Sequence, residues 1–126
     1  MKETKKLPRI LVVDDAPENL MVMESVLSKD YSLNMFDDSG KALEYAFANP
    51  PDLILLDVMM PELDGIGTCR RIKQDEKTRH IPVVMVTTKG EPEMVQKAID
   101  AGCNDFITKP LDKTELLSKV RAHLGI

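Results

Sequence analysis

Short apolar runs alternate along the chain with longer segments of helical spacing. Residues 10–13 form the first run and end at Asp14-Asp15. Residues 53–56, Leu-Ile-Leu-Leu, form a second and stop at Asp57. Residues 81–86 stop at Thr87-Thr88, and the shorter run 104–108 stops at Lys109-Pro110. Continuous runs of this length suit strands buried on both faces, as in a parallel sheet covered by helices. Residues 31–36 instead alternate, with Leu33 and Met35 set against Ser32 and Asn34, which predicts a less buried strand toward a sheet edge.

The intervening segments carry helix signals. Pro17 stands where a helix can begin, since the first turn has no use for a proline N–H, and Leu20, Met23 and Leu27 keep helical spacing to about residue 29. Ser39 is the expected cap of a helix with Leu43, Ala46 and Phe47 on one face, closed by Asn49-Pro50-Pro51. A third helix is predicted from near Gly65, with Ile66, Cys69 and Ile72 inward, and residues 73–80 read as a loop or ragged helix end. Pro92 with Glu91 and Glu93 opens a fourth, whose inner face is Met94, Val95, Ala98 and Ile99 and whose stop is a left-handed Gly102. Asp112 and Glu115 have capping-box spacing before a last helix carrying Leu116, Leu117, Val120 and Leu124.

Five strands alternating with five helices predict an α/β domain: a flavodoxin-like, doubly wound (βα)5 fold. Its five-stranded parallel sheet has the order 2-1-3-4-5, with right-handed crossovers and helices on both faces. The 126 residues suit one domain able to bury roughly two-thirds of its unfolded surface. Residues 1–7 read as a flexible polar tail, and 8–126 as the domain.

Composition narrows the function classes. A net charge of −4 argues against direct nucleic-acid binding, which needs clustered excess Lys and Arg. Arg70, Arg71 and Lys73 read as one solvated helix face. Cys69 and Cys103 have no metal-ligand spacing and suit small apolar packing in a reducing compartment, while His80 and His123 show no partner pattern and read as surface residues. The start of the chain lacks an apolar signal-peptide core, and no run is long enough to insert in a membrane, so a cytoplasmic location is expected. Most of the eight methionines sit in helix or strand patterns and are read as core fillers; Met59-Met60 is the exception and reads as a loop.

Candidate chemistry collects at the strand ends. Asp14 and Asp15, Asp57, Thr87 and Lys109 end the first, third, fourth and fifth strands, which a parallel sheet places on one edge. Three carboxylates there repel one another unless a hard cation sits among them. Mg²⁺ suits such a site because it uses few protein carboxylates and leaves positions for phosphate oxygens. A lysine charge and a threonine hydroxyl complete a set fitted to phosphoryl transfer, where catalysis is mostly positioning and charge neutralisation. Asp57, central in the sheet, is the candidate nucleophile.

The motifs Val-Val-Asp14-Asp15, Leu-Asp57-Val-Met-Met-Pro61-Glu-Leu-Asp-Gly65, Val-Thr87 and Asp-Phe106-Ile-Thr-Lys109-Pro110 together resemble the receiver domain of two-component response regulators. The resemblance runs from Ile10 to Leu124. Strand order 2-1-3-4-5 is also that of chemotaxis receivers, so order and resemblance are one expectation. The resemblance implies that Asp57 accepts a phosphoryl group from a phosphohistidine of a sensor histidine kinase or phosphotransfer protein, or from a donor such as acetyl phosphate. It implies Mg²⁺ held by Asp15, by Asp14 largely through water, by Asp57 and by the Met59 backbone carbonyl. Lys109 and Thr87 would contact the phosphoryl oxygens, and Phe106 would turn inward behind Thr87. The face of the fourth helix, fifth strand and fifth helix would change, acting on a downstream output domain or protein; it is also a candidate homodimer interface. Lys109-Pro110 resembles the family's cis peptide.

Three residues, Met59, Thr88 and Lys89, flank the expected site. Thr88 stands where the family usually has Ala or Gly and would narrow access, while Met59 and Lys89 would tune the lifetime of the phosphorylated state. Phe106 replaces a frequent Tyr and lacks its hydroxyl. Such a domain catalyses only its own modification and hydrolysis, so it is expected to be a switch rather than an enzyme. The competing readings are a haloacid-dehalogenase-like Mg²⁺ phosphatase, a flavin module and a degenerate receiver that only binds. The first expects Asp-x-Asp after its first strand where this chain has Asp14-Asp15. The second expects a donor-rich loop where this chain has acids, and the third conflicts with intact Asp57 and Lys109.

Overall fold

The computed structural model describes residues 7–58, 65–88 and 92–125. Five strands and five helices alternate: β1 (Arg9–Val13), α1 (Pro17–Leu27), β2 (Ser32–Phe36), α2 (Ser39–Ala48), β3 (Leu53–Asp57), α3 (Gly65–Gln74), β4 (Val83–Thr88), α4 (Pro92–Asp100), β5 (Asp105–Lys109) and α5 (Lys113–Leu124). All pairings are parallel and the order is β2-β1-β3-β4-β5. The expected architecture and strand order hold, with the alternating strand β2 on one edge and β5 on the other.

Strand alternation divides the core into two clusters. Leu11, Val13, Ile54, Leu56, Val83 and Met85 face Ala42, Leu43 and Ala46 of α2, Ile66, Cys69 and Ile72 of α3, and Ala98 of α4. Ile10, Val12, Leu53, Leu55, Val84, Val86 and Ile107 face Met23 and Leu27 of α1 and Leu116 and Val120 of α5. Both faces of the central strands are therefore covered, which is why their runs are apolar without alternation. Burial at roughly 25 cal/mol per Å² of apolar surface is the main force holding β1, β3 and β4 in place, and with them the residues at their ends.

Local signals differ from expectation at several places, among them β4, which runs Val83–Thr88 and not 81–86. The cap of α2 is Asp38, whose carboxylate accepts the Lys41 N–H at 3.0 Å, while Ser39 is buried as the first helical residue. Asp38 has the extended backbone that aims a cap side chain at the third free N–H. In α4, Ala98 packs inward but Ile99 is 49% exposed, because the small residues Ala98 and Ala101 bring that helix face to the core. Lys73 does not belong to a solvated face: its ammonium donates to the carbonyls of Arg79 at 3.2 Å and Ile81 at 2.7 Å. His123, expected to be isolated, lies 3.0 Å from Asp105 across the α5–β5 contact. Gly102 does take a positive φ of 102°, and Asp112 does cap α5, accepting the Glu115 N–H at 2.8 Å.

Candidate functional site

The site is assembled by strand ends. β1 delivers Asp14, whose N–H is held by the Phe36 carbonyl at 3.1 Å, with Asp15 following it. β3 delivers Asp57, in register with Val86 of β4, and β5 delivers Lys109, in register with Thr88. One carboxylate oxygen from each of Asp14, Asp15 and Asp57 can be chosen so that all lie within 4.8 Å of one another. Asp14 and Asp57 are buried and Asp15 is exposed, so the cluster opens to solvent on one side. Lys109 is the compensating charge, with Nζ 3.4 Å from Asp57 Oδ2 and 3.5 Å from Asp14 Oδ2.

Asp14 presents two different oxygens. Oδ1 accepts the Ala16 N–H at 2.9 Å and faces the Asn19 amide at 3.5 Å. Oδ2 is buried and has no hydrogen-bond partner; the Lys109 ammonium is an ion-pair contact, not a hydrogen bond of good geometry. A buried carboxylate oxygen left without a donor is costly unless something else neutralises it. A hard divalent cation, which takes oxygen ligands and tolerates waters in the remaining positions, fits that donor set. The sequence reading missed Asn19, in the first turn of α1, because nothing in its spacing marks it.

Thr87 lies in β4, with its hydroxyl oxygen buried and without a hydrogen-bond partner. Alternation along β4 and β5, with Met85 paired to Phe106 and Thr87 to Thr108, puts the Thr87 and Phe106 side chains on one sheet face as diagonal neighbours. Phe106 is partly buried against the core cluster on the α4 side. The Lys109–Pro110 peptide is cis. Met59 and Lys89 lie outside the described residues, and Thr88 is placed by its backbone alone, in register with Lys109.

Gly65 fixes the return of the chain from the site. Its N–H donates to the Val58 carbonyl at 2.9 Å. A Cβ at this position would fall onto the Asp57 carbonyl oxygen and within 2.7 Å of Val58 Cα. Only glycine lets α3 begin this close to the end of β3, which explains the residue at the close of the Asp57 motif.

A second polar cluster, whose members the sequence reading did not bring together, joins β5 to α5. The Asp105 carboxylate accepts from Lys119 at 2.9 Å and from the Phe106 N–H at 2.8 Å, with His123 Nε2 at 3.0 Å. Burial pushes the Asp105 carboxyl up, but the hydrogen bonds from His123, Lys119 and the Phe106 N–H outweigh it and leave it below the usual carboxylate range. No spacing rule links a strand residue to a helix met only after folding.

Comparison with known proteins agrees with this geometry. A family model for the response regulator receiver domain matches residues 10–121. Response regulator PleD of Caulobacter vibrioides is 44% identical over 116 residues, which cover 90% of this chain and 25% of PleD. The DNA-binding dual master transcriptional regulator RpaA of Synechocystis is 39% identical over 119 residues, covering 94% of this chain and 49% of RpaA. The chain thus spans between a quarter and a half of these relatives. In three dimensions it is similar to the receiver domain of a sensor histidine kinase from Pseudomonas aeruginosa, solved with magnesium coordinated in its active-site cleft. That likeness has a TM-score of 0.86 and 31% identity and covers 95% of this chain and 99% of the other. An α/β domain of this strand order, with its acidic cluster and lysine at the strand ends, belongs to the response regulator receiver domains of two-component systems.

Proposed function

We propose that this receiver domain is a phosphoacceptor switch in which Asp57 takes a phosphoryl group from the phosphohistidine of a sensor kinase or phosphotransfer protein, or from a small donor such as acetyl phosphate. The observation that carries the reading is the convergence of Asp14, Asp15, Asp57 and Lys109 in one cluster, with a buried Asp14 oxygen lacking a donor. A carboxylate oxygen of Asp57 attacks phosphorus. The P–N bond to the donor imidazole breaks, and its electron pair stays on the nitrogen. Mg²⁺ bound by Asp15, Asp57, the Met59 backbone carbonyl and, through water, Asp14 would neutralise charge on the transferring oxygens.

The chain's own residues supply the rest. Lys109 already faces the acceptor carboxylate and is placed to meet the incoming oxygens with a fixed positive charge. The unpartnered Thr87 hydroxyl is a donor in reserve for a phosphoryl oxygen. Drawing Thr87 toward Asp57 vacates space on the face it shares with Phe106, and Phe106 follows, reshaping the α4-β5-α5 surface. A new charge thereby biases a two-state element. That surface would act on an output domain or protein and could pair two copies of the chain. By the family resemblance, Thr88 would narrow access to the acceptor, and Met59 and Lys89 would tune the lifetime of the aspartyl phosphate. The domain works in the cytoplasm as a switch and not as a turnover enzyme.

The test is intact mass after incubation with acetyl phosphate and Mg²⁺. One added phosphoryl group, lost without Mg²⁺ and in Asp57→Asn, is the expected result. An adduct that persists in Asp57→Asn moves the acceptor elsewhere. Sustained phosphate release by Asp57→Asn would support a hydrolase and end the switch reading.

A further inference from the structure

The β5 edge carries a cluster that the phosphoryl site does not use. As the last strand of the sheet, β5 leaves every other residue with its N–H and C=O turned away from β4. Phe106 is such a residue, and side chains satisfy both its peptide groups. Its N–H donates to Asp105 Oδ1 at 2.8 Å, and its carbonyl accepts from Lys119 Nζ at 2.7 Å. The same ammonium donates to Asp105 Oδ1 at 2.9 Å and stands 5.3 Å from the centre of the Phe106 ring. His123 contacts the other Asp105 oxygen, and Glu115 lies 3.9 Å from Lys119 one turn back along α5. A single lysine of α5 therefore touches the carbonyl, the ring and the preceding side chain of the residue expected to move.

We infer that Lys119 is a latch: its contacts with Phe106 and Asp105 hold Phe106 in the present arrangement and so set how readily the domain switches. The inference rests on the phosphoacceptor reading above. In this arrangement the Thr87 hydroxyl has not been recruited to Asp57. Turning the Phe106 ring ends its contact with the Lys119 ammonium, and the Lys119 hydrogen bond to the Phe106 carbonyl resists any accompanying shift of β5, so the latch opposes the change. Among the described residues, Lys119 contacts none of Asp14, Asp15 and Asp57; it is a positioning residue. Its effect on the site passes through β5, whose last residue is Lys109. A latch of this kind lowers apparent affinity for a phosphoryl mimic by holding down the competent fraction.

The test is beryllofluoride with Mg²⁺ on the full chain, read by ¹⁹F NMR of 4-fluorophenylalanine-labelled protein. The label gives three probes, at Phe36, Phe47 and Phe106, and Phe106→Leu assigns the third. Lys119→Met keeps the aliphatic stem and removes the donors and charge. It should bind beryllofluoride about threefold to tenfold tighter than wild type, the gain available when the competent fraction starts at roughly 10–30%. Before any ligand is added, its Phe106 resonance should already be displaced toward the saturated wild-type position. Lys119→Arg should restore wild-type affinity within about twofold, because it keeps charge and donors. Equal or weaker binding with an unmoved Phe106 resonance overturns the latch and leaves the phosphoacceptor reading standing. Failure of wild type itself to bind removes that reading and the latch with it. If Lys119→Met does not fold, Asp105→Asn, which weakens the same ion pair, is judged by the same two readouts.

Discussion

Lys109 reaches Asp57 from a strand two places away in the sheet, its ammonium 3.4 Å from the Asp57 carboxylate and 3.5 Å from Asp14. One fixed cation therefore balances two buried acids, with the exposed Asp15 close by. Among the described residues, the carboxylates gathered at the strand ends outnumber the cation that faces them. That imbalance costs folding free energy and creates affinity for a divalent ion.

Removing Lys109 should make the cost visible. In EDTA, Lys109→Met should lose about 2 kcal/mol of stability, less than the ~3–5 kcal/mol of a fully buried pair because water reaches the lysine. Mg²⁺ should stabilise wild type by about 1.4 kcal/mol at ten times its Kd, and should recover part of the loss in the variant. Urea unfolding with and without Mg²⁺ measures both. Unchanged midpoints in EDTA would mean that the carboxylates do not depend on this charge, and no Mg²⁺ response would remove the metal site.

Gly65→Ala should be far more damaging than an alanine at an ordinary helix start. The added Cβ meets backbone atoms, the Asp57 carbonyl oxygen and Val58 Cα, and not a flexible side chain. Something in the β3–α3 connection must shift, at a cost of about 2–4 kcal/mol, and the Asp57 carboxylate shifts with it. The expected result is a lower unfolding midpoint together with weaker Mg²⁺ binding. A variant of wild-type stability and Mg²⁺ affinity would contradict the close approach.

Asp105 gives the acid limb of stability a specific source. Its carboxyl is desolvated yet held below the ordinary range by hydrogen bonds from His123, Lys119 and the Phe106 N–H. A carboxyl whose folded value is depressed contributes stability above the unfolded value and loses it as pH falls through the folded one. The contribution should thus be present above about pH 4 and fade below it. Asp105→Asn should be less stable than wild type near neutrality and converge with it in acid. Parallel stability curves for the two proteins across that range would refute this assignment.

Much of this was legible because the sheet is parallel and buried on both faces. Leu53, Ile54, Leu55 and Leu56 have no polar member, and Asp57 ends the run as a buried carboxylate at the strand's C-terminal end. The strand ends then share an edge by topology, so Asp14, Asp57, Thr87 and Lys109 could be gathered before any contact was known. Boundaries were less secure. Asp38 and Ser39 are both good caps, and only backbone direction chose between them. In α4 the helical spacing admitted Ile99 to the inner face, but the helix turns Ala98 inward and leaves Ile99 exposed.

The sequence by itself determined the alternation of strands and helices and the identities of the residues at the acidic edge, because period and run length are local, while the strand order came with the resemblance carried by the motifs. The tertiary structure alone decided which oxygen of Asp14 lacks a donor, how closely Gly65 passes the end of β3, and that Lys119 and His123 converge on Asp105. Those relationships depend on distances of a few ångströms between elements far apart in the chain. Side-chain spacing within an element carries no information about them until packing has fixed one element against another.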